Sequence, residues 1–510
     1  MGEERAMEAL ARADQQIGIA GAGAMGQGIV QVAVEGGIDV LLFDATDGVA
    51  EASLQKIRGR FDRLVEKGKL DRTSADDAAN RVHPISSIEA FADCDVVIEA
   101  IIEDISAKQA LIQQIEAIVR PDCLIASNTS SIPIASLASI CKRRDRVAGL
   151  HFFNPVPLMK LVEVIAAVET SDDTVQRLLA LSERMTRTPV VVKDSPGFLV
   201  NMGGRAYTTE ALRLVHEGVA TPAEIDAVMR DSHGFRMGPF ELMDLTGIDV
   251  NYPVTQIIFN GYQQDPRLKT APNHHALFDA GLLGRKTGAG WYRYENGQVL
   301  DKPSSDFFCN ASPARYVALA ADDPALVAFL ANIGLAAGED DGTCPILAAP
   351  YGDDATHTAL KTGCDFRRLV CIDLAGDTSQ RITIMTAPGA DPTHKNKVAV
   401  SLQAAGLPGL KVTAIKDSPG FIGQRMTAMI ANLGCYMAEI GLASPTDIDL
   451  AMKLGLNYPK GPFELVEALG AKTCLRVLDR LQAITGEDRY RPALWLKRRA
   501  ALGLPIRTPC

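Results

Sequence analysis

The chain has no CxxC pair and no His/Cys grouping at zinc spacing, although it holds 10 cysteines among 510 residues. A structural zinc site is excluded on that pattern, and thiols scattered this way read as reduced. The expectation is a cytoplasmic protein with no metal. Also missing is any apolar run long enough to span a bilayer, and the opening MGEERAMEALARADQQ lacks the apolar core of a secretory signal. There is no surplus of positive charge. A formal net charge of -10 argues against a general nucleic-acid binder. Neither a membrane nor a nucleic acid is therefore expected as partner. What is present is an ordinary globular composition, 47% hydrophobic and 22% charged, with no low-complexity run. The length is too great for one core and suggests two to four domains.

Residues 16–44 carry the first chemical signal, QIGIAGAGAMGQGIVQVAVEGGIDVLLFD. An apolar strand runs into Gly21, Gly23 and Gly26, with Ala24 and Met25 between them, then a helix-period segment, then a second strand ending in Asp44. Gly21 permits a tight turn, Gly23 lets the backbone approach a pyrophosphate, and Gly26 allows helix to pack closely on strand. The helix start offers free N–H groups and a positive dipole end to phosphate. A carboxylate at Asp44 accepts from ribose hydroxyls and repels a 2'-phosphate, so the expected cofactor is NAD rather than NADP.

Strand-like runs recur at 95–104, 123–133, 146–155 and 161–165, with helical patterns between the earlier ones. Alternation of this kind predicts a doubly wound, mainly parallel sheet, in which ligands bind at the carboxyl ends of strands. Glu99, Glu103, Asn128, Ser130, His151 and Asn154 all fall at such ends. His151 follows a strand and opens the turn HFFNPVP, and Glu163 lies twelve residues on, after Pro155 and Pro157. A chain turned back there sets a carboxylate against an imidazole, which fixes the tautomer and stabilises imidazolium. A general base for alcohol oxidation needs that arrangement. A core histidine and an unrelated strand-end acid would give the same spacing.

The combination GLHFFNPVPLMKLVEVI, with ASNTSS before it and KDSPGFLVN after it, resembles the 3-hydroxyacyl-CoA dehydrogenase family. GFRMGPFELMDLTGIDV and GLLGRKTGAGWY extend the resemblance over residues 16–296. It implies a Rossmann-type α/β domain followed by mainly α-helical domains, and reversible NAD-dependent oxidation of a (3S)-3-hydroxyacyl-CoA to the 3-oxoacyl-CoA. By that resemblance His151 is the general base and Glu163 its orienting partner, while Ser130 and Asn201 contact the reacting oxygen. Glu103, Lys108, Ser130, Asn154 and Lys286 match residues that line or close over the nicotinamide end of NAD. One departure stands out. The family places arginine after this asparagine, whereas the chain reads Asn201-Met202-Gly203-Gly204-Arg205, a poor helix start.

The segment 53–70 is basic within an acidic chain. Lys56, Arg60, Arg63 and Lys67 fall on one helical face, a landing surface for the phosphates of coenzyme A. A solvated helix face, with Asp62 and Glu66 compensating, accounts for the same charges. The resemblance favours Lys67, with Arg60 beside it, as the coenzyme A contacts.

The C-terminal half repeats part of the first. KDSPGFLVN at 193–201 recurs as KDSPGFIGQ at 416–424, and GPFELMDL at 238–245 as GPFELVEA at 461–468, both at an offset of 223 residues. The TPAE and SPTD helix starts correspond as well. Asn201 becomes Gln424, and in a looser upstream alignment His151 falls on Cys371 and Glu163 on Thr383. With no glycine-rich turn between 300 and 400, the second half reads as a degenerate repeat lacking a reaction centre. The expected domains are 1–193 (NAD-binding), 194–296 (helical), 297–416 (degenerate Rossmann-like) and 417–510 (second helical). The resemblance implies pairing of helical domains, either between two chains as a homodimer or within one chain as a pseudo-dimer. Its bacterial forms with two helical domains point to 3-hydroxybutyryl-CoA or 3-hydroxyadipyl-CoA as substrate. The alternatives are a dehydrogenase of a free hydroxy acid on the same fold and a non-enzymatic, crystallin-like protein.

Overall fold

The computed structural model describes residues 15–300, 304–404 and 409–509; the opening stretch read for a secretory signal lies outside them, except for its last two residues. Of the described residues, those up to Met202 together with Gly441–Leu456 form one compact unit. Gly203–Ile440 and the residues from Asn457 onward form the other.

The first unit holds an eight-stranded sheet. Its strands are β1 (Gln16–Ala20), β2 (Asp39–Phe43), β3 (Val82–Ile85), β4 (Val96–Glu99), β5 (Leu124–Ser127), β6 (Val147–Phe152), β7 (Leu161–Ala166) and β8 (Thr188–Lys193), in the order β3-β2-β1-β4-β5-β6-β7-β8. Residues such as Ile17, Ile19, Val96 and Ile98 are fully buried, because helices cover a parallel sheet and near-continuous apolar runs satisfy both faces. Every neighbouring pair is parallel except β6 and β7. That exception follows from the sequence: a parallel pair needs a long crossover, whereas the short proline turn after Asn154 can only return the chain antiparallel. Helices α1 (Ala24–Glu35), α2 (Val49–Glu66) and α3 (Ile105–Ile118) belong to the NAD-type half. Since β1 lies between β2 and β4, the strand order reverses there and opens the crevice where such sheets bind ligands.

The second unit begins with the helices α4 (Arg205–His216) and α5 (Pro222–Asp231), the latter closed by a Thr221/Glu224 capping box as the TPAE pattern predicts. After the hairpin β9 (Arg293–Glu295) and β10 (Gln298–Leu300) comes a five-stranded sheet. It comprises β11 (Ala318–Leu319), β12 (Ile346–Ala348), β13 (Leu369–Ile372), β14 (Arg381–Met385) and β15 (Lys411–Ile415), in that order. Only β13 and β14 run antiparallel. This is the pattern of β4 to β8. Strands β1 to β3, which make the dinucleotide crevice, have no counterpart in it. The second sheet thus repeats the β4–β8 half of the first and not the half that makes the crevice.

Helix α6 (Gly423–Glu439) packs on α4 within this unit, and α7 (Pro445–Leu456) lies in the first unit against β7 and β8. Correspondingly, α5 lies against β14 in the second unit. The backbone joins follow suit. Lys193 N–H donates to Leu442 O at 2.9 Å, and Lys416 N–H, 223 residues on, donates to Val219 O at 3.1 Å. Each copy therefore lends one helix to the sheet of the other. Among the described residues no helix is long and apolar enough to cross a membrane.

Candidate active site

The glycine loop behaves sterically as its spacing requires. Gly21 has φ +111°, and a Cβ there would press on the Ala100 carbonyl; a Cβ on Gly26 would overlap the Gly21 carbonyl oxygen. Nothing lies within 4 Å of a Cβ built on Gly23, so its face is open to an approaching group. Gly23 caps α1 with no side-chain hydrogen bond, which leaves the N–H groups of the first turn, starting at Ala24 and Met25, for an anion. Asp44 follows β2 and accepts the Ala22 N–H at 2.9 Å and the Thr46 N–H at 3.0 Å. A cavity of about 400 Å³ opens beside it, lined by Gly21, Phe43, Ala45, Ile88, Leu111 and Gln114 among others. A carboxylate acceptor beside a cavity of this volume suits an adenosine.

At the carboxyl ends of β4 and β5 lies a polar network. Lys108 is almost completely buried, its Nζ 2.7 Å from Glu99 and 3.3 Å from Glu103. Glu99 also accepts from Ser127 Oγ at 2.6 Å and from the Ile101 N–H at 2.7 Å. Glu103 gathers the next loop, accepting from Thr129 Oγ1 (2.7 Å) and from the N–H groups of Ser130 (2.9 Å) and Ser131 (3.1 Å). Burial works to raise the Glu103 carboxyl, but the Thr129 hydroxyl, the Lys108 charge and the loop N–H groups outweigh it and hold it below the usual range. Ser130 Oγ itself donates to Glu103 at 3.2 Å. Glu99 was placed at a strand end by the sequence but given no role; the structure makes it the hub of this network. A carboxylate five residues before a helix cap, nine before a lysine on that helix, was the available signal.

His151 and Glu163 face one another as direct partners across the antiparallel pair β6/β7. His151 Nδ1–H donates to Glu163 Oε2 at 2.6 Å, with the carboxylate 1% exposed. The other carboxylate oxygen accepts the N–H groups of Leu199 (3.0 Å) and Val200 (2.8 Å). Three donors thereby fix the buried carboxylate's orientation, and a neutral ring carrying its proton on Nδ1 leaves the Nε2 lone pair free to accept one. Among the described residues Nε2 makes no hydrogen bond, and the ring lies against Phe153 and Phe198 at centroid distances of 4.4 and 6.0 Å. Asn201 follows Val200 directly, in the short helical turn Val200–Gly203 that breaks before Arg205. The break occurs where Met202 and two glycines weaken the helix; the second copy, with Arg425 at the matching place, runs unbroken from Gly423 to Glu439.

A second cavity in the same unit, about 450 Å³, is lined by Arg60 and Arg63 from α2 and by Lys67 at its C-cap, by Gln31 from α1, and by Asn154 and Val156 from the proline turn. The structure thus groups Asn154 with the basic face, and adds Arg63 to Arg60 and Lys67; Lys56 is not among the lining residues. Lys286 belongs to the second unit, where its Nζ pairs with Asp249 at 2.6 Å.

The second sheet corrects one alignment. Strand β15 pairs with β14 so that Thr383 stands opposite Thr413, as Glu163 stands opposite Val190, 223 residues earlier. The residue facing Thr383 across β13/β14 is Asp373, which donates its N–H to the Thr383 carbonyl at 2.9 Å. His151 therefore corresponds to Asp373, not Cys371. A slip of two residues keeps the same face of a strand buried, so hydrophobic pattern alone does not detect it. Asp373 is buried, which raises its carboxyl, and Gln424 Nε2 donates to it at 3.0 Å. The pair of the first copy has become Asp373 and Thr383.

Residues 16–195 match the 3-hydroxyacyl-CoA dehydrogenase NAD binding domain, and residues 197–294 and 420–507 both match the C-terminal domain of that enzyme. The chain is 37% identical to 3-hydroxyadipyl-CoA dehydrogenase of Escherichia coli K12 over 497 residues, 96% of this chain and 98% of the relative. The chain belongs to the 3-hydroxyacyl-CoA dehydrogenase family. A crystal structure of 3-hydroxybutyryl-CoA dehydrogenase from the same organism superposes with a TM-score of 0.82 at 36% identity, covering 96% of this chain and 98% of that one. The mitochondrial hydroxyacyl-coenzyme A dehydrogenase of Sus scrofa is 38% identical over 300 residues, which are 55% of this chain and 91% of that protein. Such single-length relatives match about half of this chain, as expected of a duplicated architecture. The protein is an NAD-using oxidoreductase of this family, and an acyl-CoA substrate is consistent with that membership.

Proposed function

We propose that the first unit oxidises the 3-hydroxyl of a 3-hydroxyacyl-CoA with His151 as general base and Glu163 as its orienting partner. The observation that carries the reading is the 2.6 Å bond from His151 Nδ1 to a buried carboxylate anchored by two backbone N–H groups. That bond leaves Nε2 to take the hydroxyl proton, and the Glu163 charge stabilises the imidazolium that results. Ser130 and Asn201 hydrogen-bond the reacting oxygen and orient it; Ser130 Oγ exchanges its bond to Glu103 for one to substrate. When bound, NAD supplies the hydride acceptor. Gly21, Gly23, Ala24, Met25 and Gly26 hold its pyrophosphate, Asp44 its adenosine ribose, and Glu103, Lys108, Asn154 and Lys286 its nicotinamide end.

Arg60 and Lys67, with Arg63 beside them, hold the phosphates of coenzyme A at the second cavity. The relatives named for 3-hydroxyadipyl-CoA and 3-hydroxybutyryl-CoA supply the two candidate acyl groups. The packing of α6 on α4 supports an intramolecular pseudo-dimer, and the nine described cysteines, all free thiols, suit a reducing cytoplasm. The test is a panel of acyl-CoA substrates followed by NADH absorbance, with His151→Gln alongside. Turnover of a free hydroxy acid in preference to every acyl-CoA overturns the substrate class, and full activity of His151→Gln overturns the mechanism.

A further inference from the structure

Glu163 is only as well placed as the two N–H groups that hold it. Those belong to Leu199 and Val200, just beyond Phe198, whose φ of +49° is a backbone conformation L side chains rarely adopt. A strained turn persists only where surrounding packing over-determines it. Part of that packing comes from far along the chain. A Cβ built on Gly455, in α7, would lie 3.0 and 3.1 Å from the two Val200 methyl groups and 3.1 Å from a methyl of Leu161. Val200 and Leu161 are themselves fully buried, and Leu161 stands two residues before Glu163 on β7. Any side chain there requires the Val200 and Leu161 methyl groups to give way by a few tenths of an ångström.

The matching position in the second unit is filled differently. There the residue equivalent to Val200 is Gly423, and its vacated space is filled by the His233 ring of the first helical copy. The residue equivalent to Gly455 is Ser232, whose hydroxyl donates to the Arg381 carbonyl at 3.1 Å. Valine meets glycine on one side of the repeat; glycine meets histidine on the other. The fit at Gly455 is therefore particular to the sheet that carries the His151–Glu163 pair.

We propose that Gly455, on a helix of the second copy, is a positioning residue for the acid–base pair of the first: it sets where Val200 sits and hence where Glu163 is held. The inference rests on the His151–Glu163 reading. Gly455→Val pushes on Val200 and misdirects the carboxylate. Its kcat should fall on the order of tenfold while the KM values for acyl-CoA and NAD stay within about twofold. The acidic limb of the kcat profile should move by about half a pH unit.

Swapping the volumes, Val200→Gly with Gly455→Val, should restore most of the rate and the limb. Thermal melting and NAD binding, measured on every variant, report folding. If Gly455→Val does not fold, Gly455→Ala, which adds a single methyl, is compared with Val200→Ala/Gly455→Ala in the same way. A folded, NAD-binding Gly455 variant with unchanged kcat and pH profile overturns the proposal, as does a folded size swap that recovers neither. Full activity of His151→Gln would instead remove the reading beneath it, so the two failures are distinguishable.

Discussion

Arg425 and Glu210 form a fully buried ion pair, Nη2 to Oε1 at 2.7 Å, where α6 packs on α4. Arg425 stands where the first copy has Met202. The arginine present only in the second copy thus joins the helices of the two. It also reaches Glu217 at 2.8 Å and Tyr490 Oη at 2.6 Å.

Removing that arginine should be costly. Arg425→Met leaves Glu210 buried with Arg489 alone for a cation, at 3.1 Å, and removing one partner of a buried ion pair typically costs about 3 kcal/mol or more. Urea unfolding should show a loss of that size, while NAD affinity of the remaining folded protein stays near the parent value.

The reacting pair makes a graded prediction. His151→Gln should lower kcat by roughly a thousandfold with little change in the KM for NAD, as loss of a general base does. Glu163→Gln keeps the shape but removes the charge that stabilises imidazolium, so its loss should be smaller, on the order of a hundredfold. Steady-state rates of both variants check the ranking; a Glu163→Gln enzyme slower than His151→Gln contradicts it.

Asp44 should govern cofactor choice. Asp44→Ala removes the acceptor expected to hold the ribose and the charge expected to repel a 2'-phosphate. The ratio of kcat/KM for NAD over NADP should fall on the order of tenfold or more, read from the two cofactors under identical acyl-CoA concentrations.

Acid stability should depend on His274. Burial, with the Arg205 charge adding to it, pushes this imidazole down to about 4. Its neutral ring bonds Thr270 Oγ1 at 3.0 Å and Asn251 Oδ1 at 2.6 Å. A folded pKa below the unfolded one means that unfolding takes up a proton between about pH 6.5 and 4, so stability is full above that window and declines within it. In His274→Gln the stability lost between pH 7 and pH 5 should be smaller by about 2 kcal/mol, measured by denaturant midpoints at the two pH values.

What could be read in advance was whatever local geometry forces. Gly26 meets a steric demand five residues away and Gly21 a positive φ, and a proline turn between His151 and Glu163 leaves the chain no course but back along its own strand. The Glu99–Lys108 pair was harder to see, because an acid and a lysine on consecutive elements look like surface charges until both prove buried. Asp373 was hidden by pleat symmetry, since a two-residue slip changes no face. The helix Pro445–Leu456 was legible as a helix and as a repeat of Pro222–Asp231, but a repeat does not say which of two similar sheets it will join. The fits at Val200 with Gly455 and at Gly423 with His233 involve too few residues to leave a pattern.

The bond from Lys193 to Leu442 has a consequence for how the chain is made. Strand β8 is the last in its sheet, and an uncovered edge is a site for wrong pairing. During synthesis that edge waits for a segment about 250 residues behind it, on the order of ten to fifty seconds at ordinary elongation rates. The catalytic half is thus the first to emerge and the last to be finished. A chain released before Leu442 is made leaves the β8 edge without that partner.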